Sequence, residues 1–300
     1  MNILITGANG FIGQKVSKFF AEKKINVYGI GRIKPNSLQT KKINFKKNIK
    51  GQINPKNLKK FSKINFSLII HCAGKVIGLE PNDDFQRNVL TTQFICDFAS
   101  NQKIKPKFIF LSTLAVYGNS KSSKLTVNTP INPISNYALN KLLCEKILKF
   151  YNQKNNKSVC ILRIGSVFGP GLKRQFIYDA CKKISKKQTL FFGTGNEERD
   201  WLYVDDLALL IYKIFKNKKN SYECFNVGYG KGIKIGHVIK KICTLMKINI
   251  KPKFNKIGVD KNPKKLISNI KKLKRYGWKP KTDFNFALKK YVDWFLNEKN

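Results

Sequence analysis

Ile3-Leu-Ile-Thr-Gly7-Ala-Asn-Gly10-Phe-Ile-Gly13 is an apolar strand that runs directly into three glycines at three-residue spacing, and a helical pattern follows. Each glycine has a mechanical reason. Gly7 permits a tight turn, Gly10 lets the backbone approach a ligand, and Gly13 lets the helix pack closely on the strand. The helix start offers free N–H groups and the positive end of a dipole, which suits phosphate. The spacing is Gly-x-x-Gly-x-x-Gly, placed between a strand and a helix as a dinucleotide pyrophosphate requires. Gly7, Gly10 and Gly13 are therefore expected to bind a dinucleotide, with Asn9, Phe11 and Ile12 completing the cradle.

The rest of the chain fits that beginning. Residues 25–30, 67–71, 107–112 and 158–163 read as strands, and 11–24, 84–101 and 135–153 as helices. Along the first helix, Phe11, Ile12, Val16, Phe19 and Phe20 fall on one side. Alternating strands and helices predict an α/β fold, a Rossmann-like doubly wound parallel sheet covered on both faces. Residues 32–60 are polar and are expected to hold at most a short strand near Ile43 and Phe45. After Gly169-Pro-Gly171 the pattern changes to helices near 173–186, 205–217, 234–247 and 284–297. Short strands near 189–192, 201–204, 223–227 and 250–254 separate them. The expected division is a dinucleotide domain over 1–165 and a smaller mixed α/β lobe over 166–300, interleaved with the first.

Composition limits the remaining classes. No apolar run reaches the ~20 residues needed to span a bilayer, and no basic region precedes an apolar segment at the start. A soluble, cytoplasmic chain is expected. The seven cysteines form no CxxC, and the two histidines, His71 and His237, lie far apart in sequence, so neither a disulfide framework nor a metal site is expected. The net charge of +42 comes almost entirely from lysines spread over nearly every segment. That distribution reads as compositional drift rather than a nucleic-acid footprint, because no basic stripe with interleaved aromatics stands out. A diffuse positive field still attracts anionic nucleotides.

Tyr137 and Lys141 stand at i and i+4 on a predicted helix, so they share a face. A free phenol has a pKa of about 10. A neighbouring ammonium stabilises the phenolate and lowers that value. A hydroxyl at the end of the 107–112 strand would orient a substrate: Thr113 first, Ser112 second. At the end of the second strand, Tyr28-Gly-Ile-Gly31-Arg32 carries no acid for a ribose 2′-hydroxyl. Arg32 instead favours a 2′-phosphate, which tilts the expected cofactor from NAD toward NADP. His71, at a strand end, reads as a hydrogen-bonded core residue.

With these residues in view, the chain resembles the extended short-chain dehydrogenase/reductases, specifically the NAD-dependent epimerase/dehydratase group acting on nucleotide sugars. The resemblance rests on Thr6–Gly13, Ile70-His71-Cys-Ala-Gly74, Asn88, Leu111–Gly118 and Tyr137-xxx-Lys141. It continues through Leu162–Pro170, Phe192–Gly195, Arg199–Asp206 and Tyr276–Pro280. It implies that Thr113, Tyr137 and Lys141 are catalytic, that Tyr137 and Lys141 also touch the cofactor, and that Ala73 and Gly74 line it. It further implies that Arg199 binds the substrate pyrophosphate, with Arg174 and Lys173 as weaker phosphate candidates. Ser166 stands where many relatives place an Asn against the nucleotide.

Other departures matter as well. Leu114-Ala115 replaces the Asp-Glu of sugar dehydratases. Ser268 begins the segment that in the family reads Asp-x-Ser-Lys, and the preceding Arg-x-Gly-Asp ribose site has only Asp260 nearby. The leading expectation is a nucleotide-diphosphate-sugar 4-epimerase of the UDP-glucose type. An NADPH-dependent 4-keto-sugar reductase is the alternative, and a catalytically idle nucleotide- or RNA-binding relative is the second. Relatives often dimerise through a four-helix bundle, which here implies a homodimer using helices 84–101 and 135–153.

Overall fold

Strands buried on both faces of a sheet need continuous apolar runs, and the chain supplies them where the sheet is deepest. The computed structural model describes residues 1–32, 43–74, 80–217, 221–257 and 263–298. The chain begins with β1 (Asn2–Thr6), α1 (Phe11–Glu22), β2 (Asn26–Gly31), β3 (Phe45–Lys50), α2 (Pro55–Leu58) and β4 (Leu68–His71). Next come α3 (Pro81–Phe85), a π-helical turn (Gln86–Leu90), α4 (Thr91–Ser100), β5 (Lys107–Thr113), α5 (Asn136–Asn155) and β6 (Val159–Ile164). The remainder contains β7 (Ser166–Phe168), α6 (Gln175–Ser185), β8 (Leu190–Phe191), β9 (Glu198–Tyr203), α7 (Val204–Lys216) and β10 (Tyr222–Val227). It ends with β11 (Gly232–Lys234), α8 (Ile235–Met246), β12 (Lys253–Phe254), β13 (Lys265–Leu266), α9 (Lys271–Arg275) and α10 (Phe284–Asn297).

Seven strands pair in the order β10-β6-β5-β4-β1-β2-β3. The pairs from β3 through β2, β1 and β4 to β5 are parallel. This is the expected doubly wound sheet. Strand order reverses at β1 and β4, with Thr6 opposite His71, so the glycine turn leaves the sheet at its switch point. Leu4, Ile69, Phe108, Phe110 and Ile161 form the centre of the core.

Contacts divide the chain into two units. One comprises Met1–Val116, Ser135–Arg163 and Ala208–Phe225, and the other Tyr117–Ile134, Ile164–Leu207 and Asn226–Asn300. Residues 208–225, read from sequence as part of a second lobe, thus belong with the sheet. The reason is long-range: β10 joins the edge of the sheet beside β6, and Tyr212 and Phe215 of α7 meet Phe20 of α1 edge-on at 5.6 and 5.5 Å. In the other unit, β9 is central, paired with β7, β11 and β13. Phe168, Trp201 and Phe284 pack there as an aromatic cluster.

Three local expectations change. Residues 45–50 form a full six-residue edge strand rather than a short one. Its lysines are tolerated because an edge strand needs to bury little. The segment then turns into α2, where the Asn54 side chain accepts the Asn57 N–H and Pro55 occupies the first turn. On α1 the buried residues are Gly13, Val16, Ser17 and Phe20, while Phe11, Ile12 and Phe19 are half-buried. The helical run begins at Pro81 and contains a π turn, an irregularity that a regular apolar period does not reveal.

Helix α5 positions most of the candidate site. Ser135 caps it by accepting the Ala138 N–H. Its buried residues include Ala138, Lys141, Glu145, Leu148 and Tyr151, spaced three and four apart. Two charged residues therefore lie in the stripe that packs inward. No helix among the described residues is long and apolar enough to cross a membrane.

The 45–66 segment contributes Phe61 and Phe66, both fully buried, to an edge-on cluster with Tyr28. Phe61→Ala is expected to lower unfolding free energy by about 3–5 kcal/mol. A urea titration checks this, and a loss below about 1 kcal/mol would show that the segment adds little to the core.

Candidate active site

The glycine turn is closed to larger residues for steric reasons. Gly7 has φ +67°, and a Cβ there would lie 2.8 Å from the Ala73 nitrogen. A Cβ on Gly13 would lie 2.1 Å from the Gly7 carbonyl oxygen. Gly10 is the N-cap of α1 and brings no side-chain acceptor to the helix start. The first-turn N–H groups, including those of Phe11 and Ile12, thus have no capping side chain and are oriented for an anion. This cradle fits a dinucleotide pyrophosphate. Asn9 is buried, and its side chain braces the turn: it donates to the Gly31 carbonyl and accepts from Asn48. Arg32 is exposed just beyond β2. Its pKa is lowered by partial burial and by Arg87, against the opposing pull of Asp83.

Beneath the turn, His71 is 1% exposed and both ring nitrogens have hydroxyl partners, Thr6 at 2.7 Å and Thr92 at 3.0 Å. Burial, and then the charge of Lys141, lower its pKa to about 3, so the ring is neutral at ordinary pH. This is the core role expected from the sequence. Thr6 also accepts the Ala73 N–H, and Thr92 donates to the Asn88 carbonyl in the π turn.

Lys141 is 4% exposed. Its ammonium donates to the Leu111 carbonyl at 2.9 Å and lies 4.6 Å from the centroid of the Phe110 ring. Burial depresses its pKa, while Cys144, Cys72, Glu145 and Asp84 act in the opposite direction. Tyr137 stands one turn before it on α5 and is half-buried. Thr113 ends β5, two residues after the carbonyl that Lys141 holds, and its hydroxyl accepts the Ala115 N–H. At Gly74 the missing Cβ leaves a gap: a carbon there would sit 2.9 Å from Asn88 Oδ1 and 3.0 Å from Lys141 Nζ. Asn88 Oδ1 is buried without a hydrogen-bond donor. Gly74 therefore borders the polar end of the Lys141 side chain.

Sequence reasoning gave no role to Glu145 or Arg163, which stand behind this set. Ser112, the second hydroxyl candidate, is buried and donates to Glu145 Oε1 at 2.5 Å. That leaves Thr113 as the less buried of the two hydroxyls. Glu145 is 3% exposed and is held by a forked bond from Arg163, Nε to Oε1 at 3.0 Å and Nη2 to Oε2 at 2.7 Å. One signal for Glu145 was present: it lies four residues after Lys141, on the same helical stripe.

In the second unit, Arg199 and Asp200 are adjacent on β9 and have different partners. Asp200 is fully buried and accepts N–H groups from Tyr229, Gly230 and Ser268, while Glu198 pairs with Lys265. Arg199 donates to the Glu198 carbonyl. Burial lowers the Arg199 pKa, and Glu197 offsets it. Ser166 opens β7 opposite Trp201. Arg174 is exposed at the N-cap of α6, and Lys173 pairs with Glu298. Asp260 lies outside the described residues.

Comparison with known proteins identifies what this arrangement resembles. The profile of the NAD dependent epimerase/dehydratase family matches residues 3–228. A protein of Methanocaldococcus jannaschii, provisionally named UDP-glucose 4-epimerase, is 31% identical over 98% of each chain. A UDP-glucuronate 4-epimerase of Thermodesulfobacterium geofontis is 28% identical, covering 97% of this chain and 95% of the relative. The fold matches that of a Bacillus cereus UDP-glucuronic acid 4-epimerase, solved with UDP-glucuronic acid and NAD, with a TM-score of 0.89. That match covers 99% of this chain and 100% of the other at 24% identity.

The His71 environment predicts a pH effect on stability. Its folded pKa is depressed, so its contribution is fully present above the unfolded value near 6.5 and is lost as pH falls toward about 3. Unfolding free energy is expected to fall with a His71 contribution approaching 1.4 kcal/mol per pH unit within that window. Denaturant titrations of His71→Gln should show a shallower slope, and an unchanged slope would contradict a buried neutral imidazole.

Proposed function

The chain belongs to the NAD dependent epimerase/dehydratase family, and from that premise we propose that it is an epimerase inverting C4 of a nucleotide-diphosphate sugar, of the UDP-glucose or UDP-glucuronate type. The reading rests on one observation above all. Lys141 is buried beside the end of β5 that carries Thr113, one turn from Tyr137. The cofactor, held by Gly7, Gly10, Gly13 and the first turn of α1, supplies a hydride acceptor and donor for the sugar carbon.

The chain's own residues handle the proton. Tyr137 takes it from the sugar hydroxyl and returns it after the carbonyl has turned over. Lys141 favours the phenolate through its charge. Thr113 orients the hydroxyl that reacts. Arg199 holds the diphosphate, a role suited to a planar fork whose charge persists even when buried. Ser166 and Arg174 are secondary contacts to the nucleotide. The turn after Thr113 opposes dehydration: Leu114 is buried there and Ala115 follows, so this turn offers no carboxylate to expel a hydroxyl. Arg32, with no acid at the end of β2, supports a second reading in which the enzyme uses NADPH to reduce a 4-keto sugar. A homodimer belongs to the same reading, since α5 turns Leu139, Leu143 and Phe150 outward.

Incubation with UDP-glucose, followed by NMR, is expected to show the C4 epimer with no net change in nicotinamide absorbance. Tyr137→Phe should lower kcat by about 10²–10⁴-fold while dinucleotide affinity stays within a few-fold. Stoichiometric NADPH oxidation with a 4-keto sugar, and no epimer from UDP-glucose, would favour the reductase. Full turnover by Tyr137→Phe would overturn both.

A further inference from the structure

Two consecutive turns of α5 grip two consecutive residues of β5. Lys141 donates to the Leu111 carbonyl, and four residues later Glu145 accepts from the Ser112 hydroxyl. The next residue of β5 is Thr113, and the preceding turn of α5 carries Tyr137. Arg163 of β6 locks the carboxylate from the other side with its guanidinium fork. A slide or rotation of α5 against β5 would shift Tyr137 relative to Thr113 and would have to break this cluster.

Stability alone does not explain an ion pair at this depth. Arg163 and Glu145 are 6% and 3% exposed. Desolvating two charges costs several kcal/mol, and well-packed apolar side chains of similar volume often serve stability as well or better. What the charged cluster adds is direction. A guanidinium fork fixes the plane of a carboxylate, and that carboxylate fixes the Ser112 hydroxyl. We infer that Ser112, Glu145 and Arg163 form a positioning device that sets the register between Thr113 and the Tyr137–Lys141 pair. The three residues act through their neighbours and do not touch the substrate. The inference rests on the functional reading above for its kinetic consequence, while the pinning of β5 to α5 is measurable without it.

Two variants test it. Ser112→Ala removes the hydroxyl bond and leaves the ion pair intact. The triple variant Ser112→Ala/Glu145→Leu/Arg163→Met replaces the whole cluster with apolar groups, so no buried charge is left alone. Ser112→Ala is expected to lower kcat about tenfold and the triple variant about 100-fold, the scale of a small misplacement of reacting groups. KM and NAD affinity should stay within twofold, and circular dichroism should show folded protein. Hydrogen exchange at residues 108–113 should accelerate in both variants. A kcat within twofold of the parent in both variants, or unchanged exchange at 108–113, would overturn the inference. So would a kcat loss that merely follows the folded fraction. If the parent protein turns over no nucleotide sugar, the functional reading fails, and the exchange data alone decide whether the cluster pins the strand.

Discussion

A buried lysine governs the arrangement of this molecule. An ammonium group removed from water is costly unless its donors and charge are answered. Here the Leu111 carbonyl answers one donor, the Phe110 ring lies beside the charge, and Glu145 and Asp84 contribute opposing charge. Each of these demands fixes a piece of backbone. The carbonyl holds β5, the helix holds Tyr137, and Glu145 brings in Ser112 and Arg163. The same interactions that make Lys141 tolerable in the core therefore tie α5, which carries Tyr137, to β5, which carries Thr113.

The molecule uses its few carboxylates in a consistent way. The chain has 17 acidic residues against 59 lysines and arginines. Asp84, Glu145, Asp200 and Asp206 are all buried, and each accepts hydrogen bonds inside the fold. Asp200 and Asp206 organise backbone N–H groups, at Tyr229, Gly230 and Ser268 and at Lys281 and Thr282. Acids withdrawn in this way leave the exterior more basic than the net charge indicates. The exposed ion pairs that remain, such as Lys18 with Glu22, are worth little individually. A diffuse excess of positive charge is compatible with anionic nucleotide ligands and does not require a polymeric partner.

The sequence revealed what is local. The glycine turn, the Tyr137–Lys141 spacing and the apolar strands follow from short-range geometry, and the doubly wound sheet follows from their alternation. What it hid depends on distant partners. The strand at 45–50 looks too basic to be a strand until its edge position is known. Residues 208–225 read as part of a second lobe because nothing local shows that Tyr212 and Phe215 meet α1. Glu145 is one more charged residue on a helix rich in lysine until Arg163 and Ser112 close around it. Helical spacing could have placed Glu145 beside Lys141, but no sequence pattern could have supplied its two partners from β5 and β6.

In the proposed mechanism, the buried Lys141 charge sets the proton affinity of Tyr137. The most direct test is the pH dependence of the single-turnover rate in the parent enzyme and in Lys141→Met, which keeps the side-chain volume and removes the charge. The limb reporting phenol ionisation is expected to move up toward the ordinary value of about 10 in the variant, with a slower plateau. An identical limb in both proteins would contradict it.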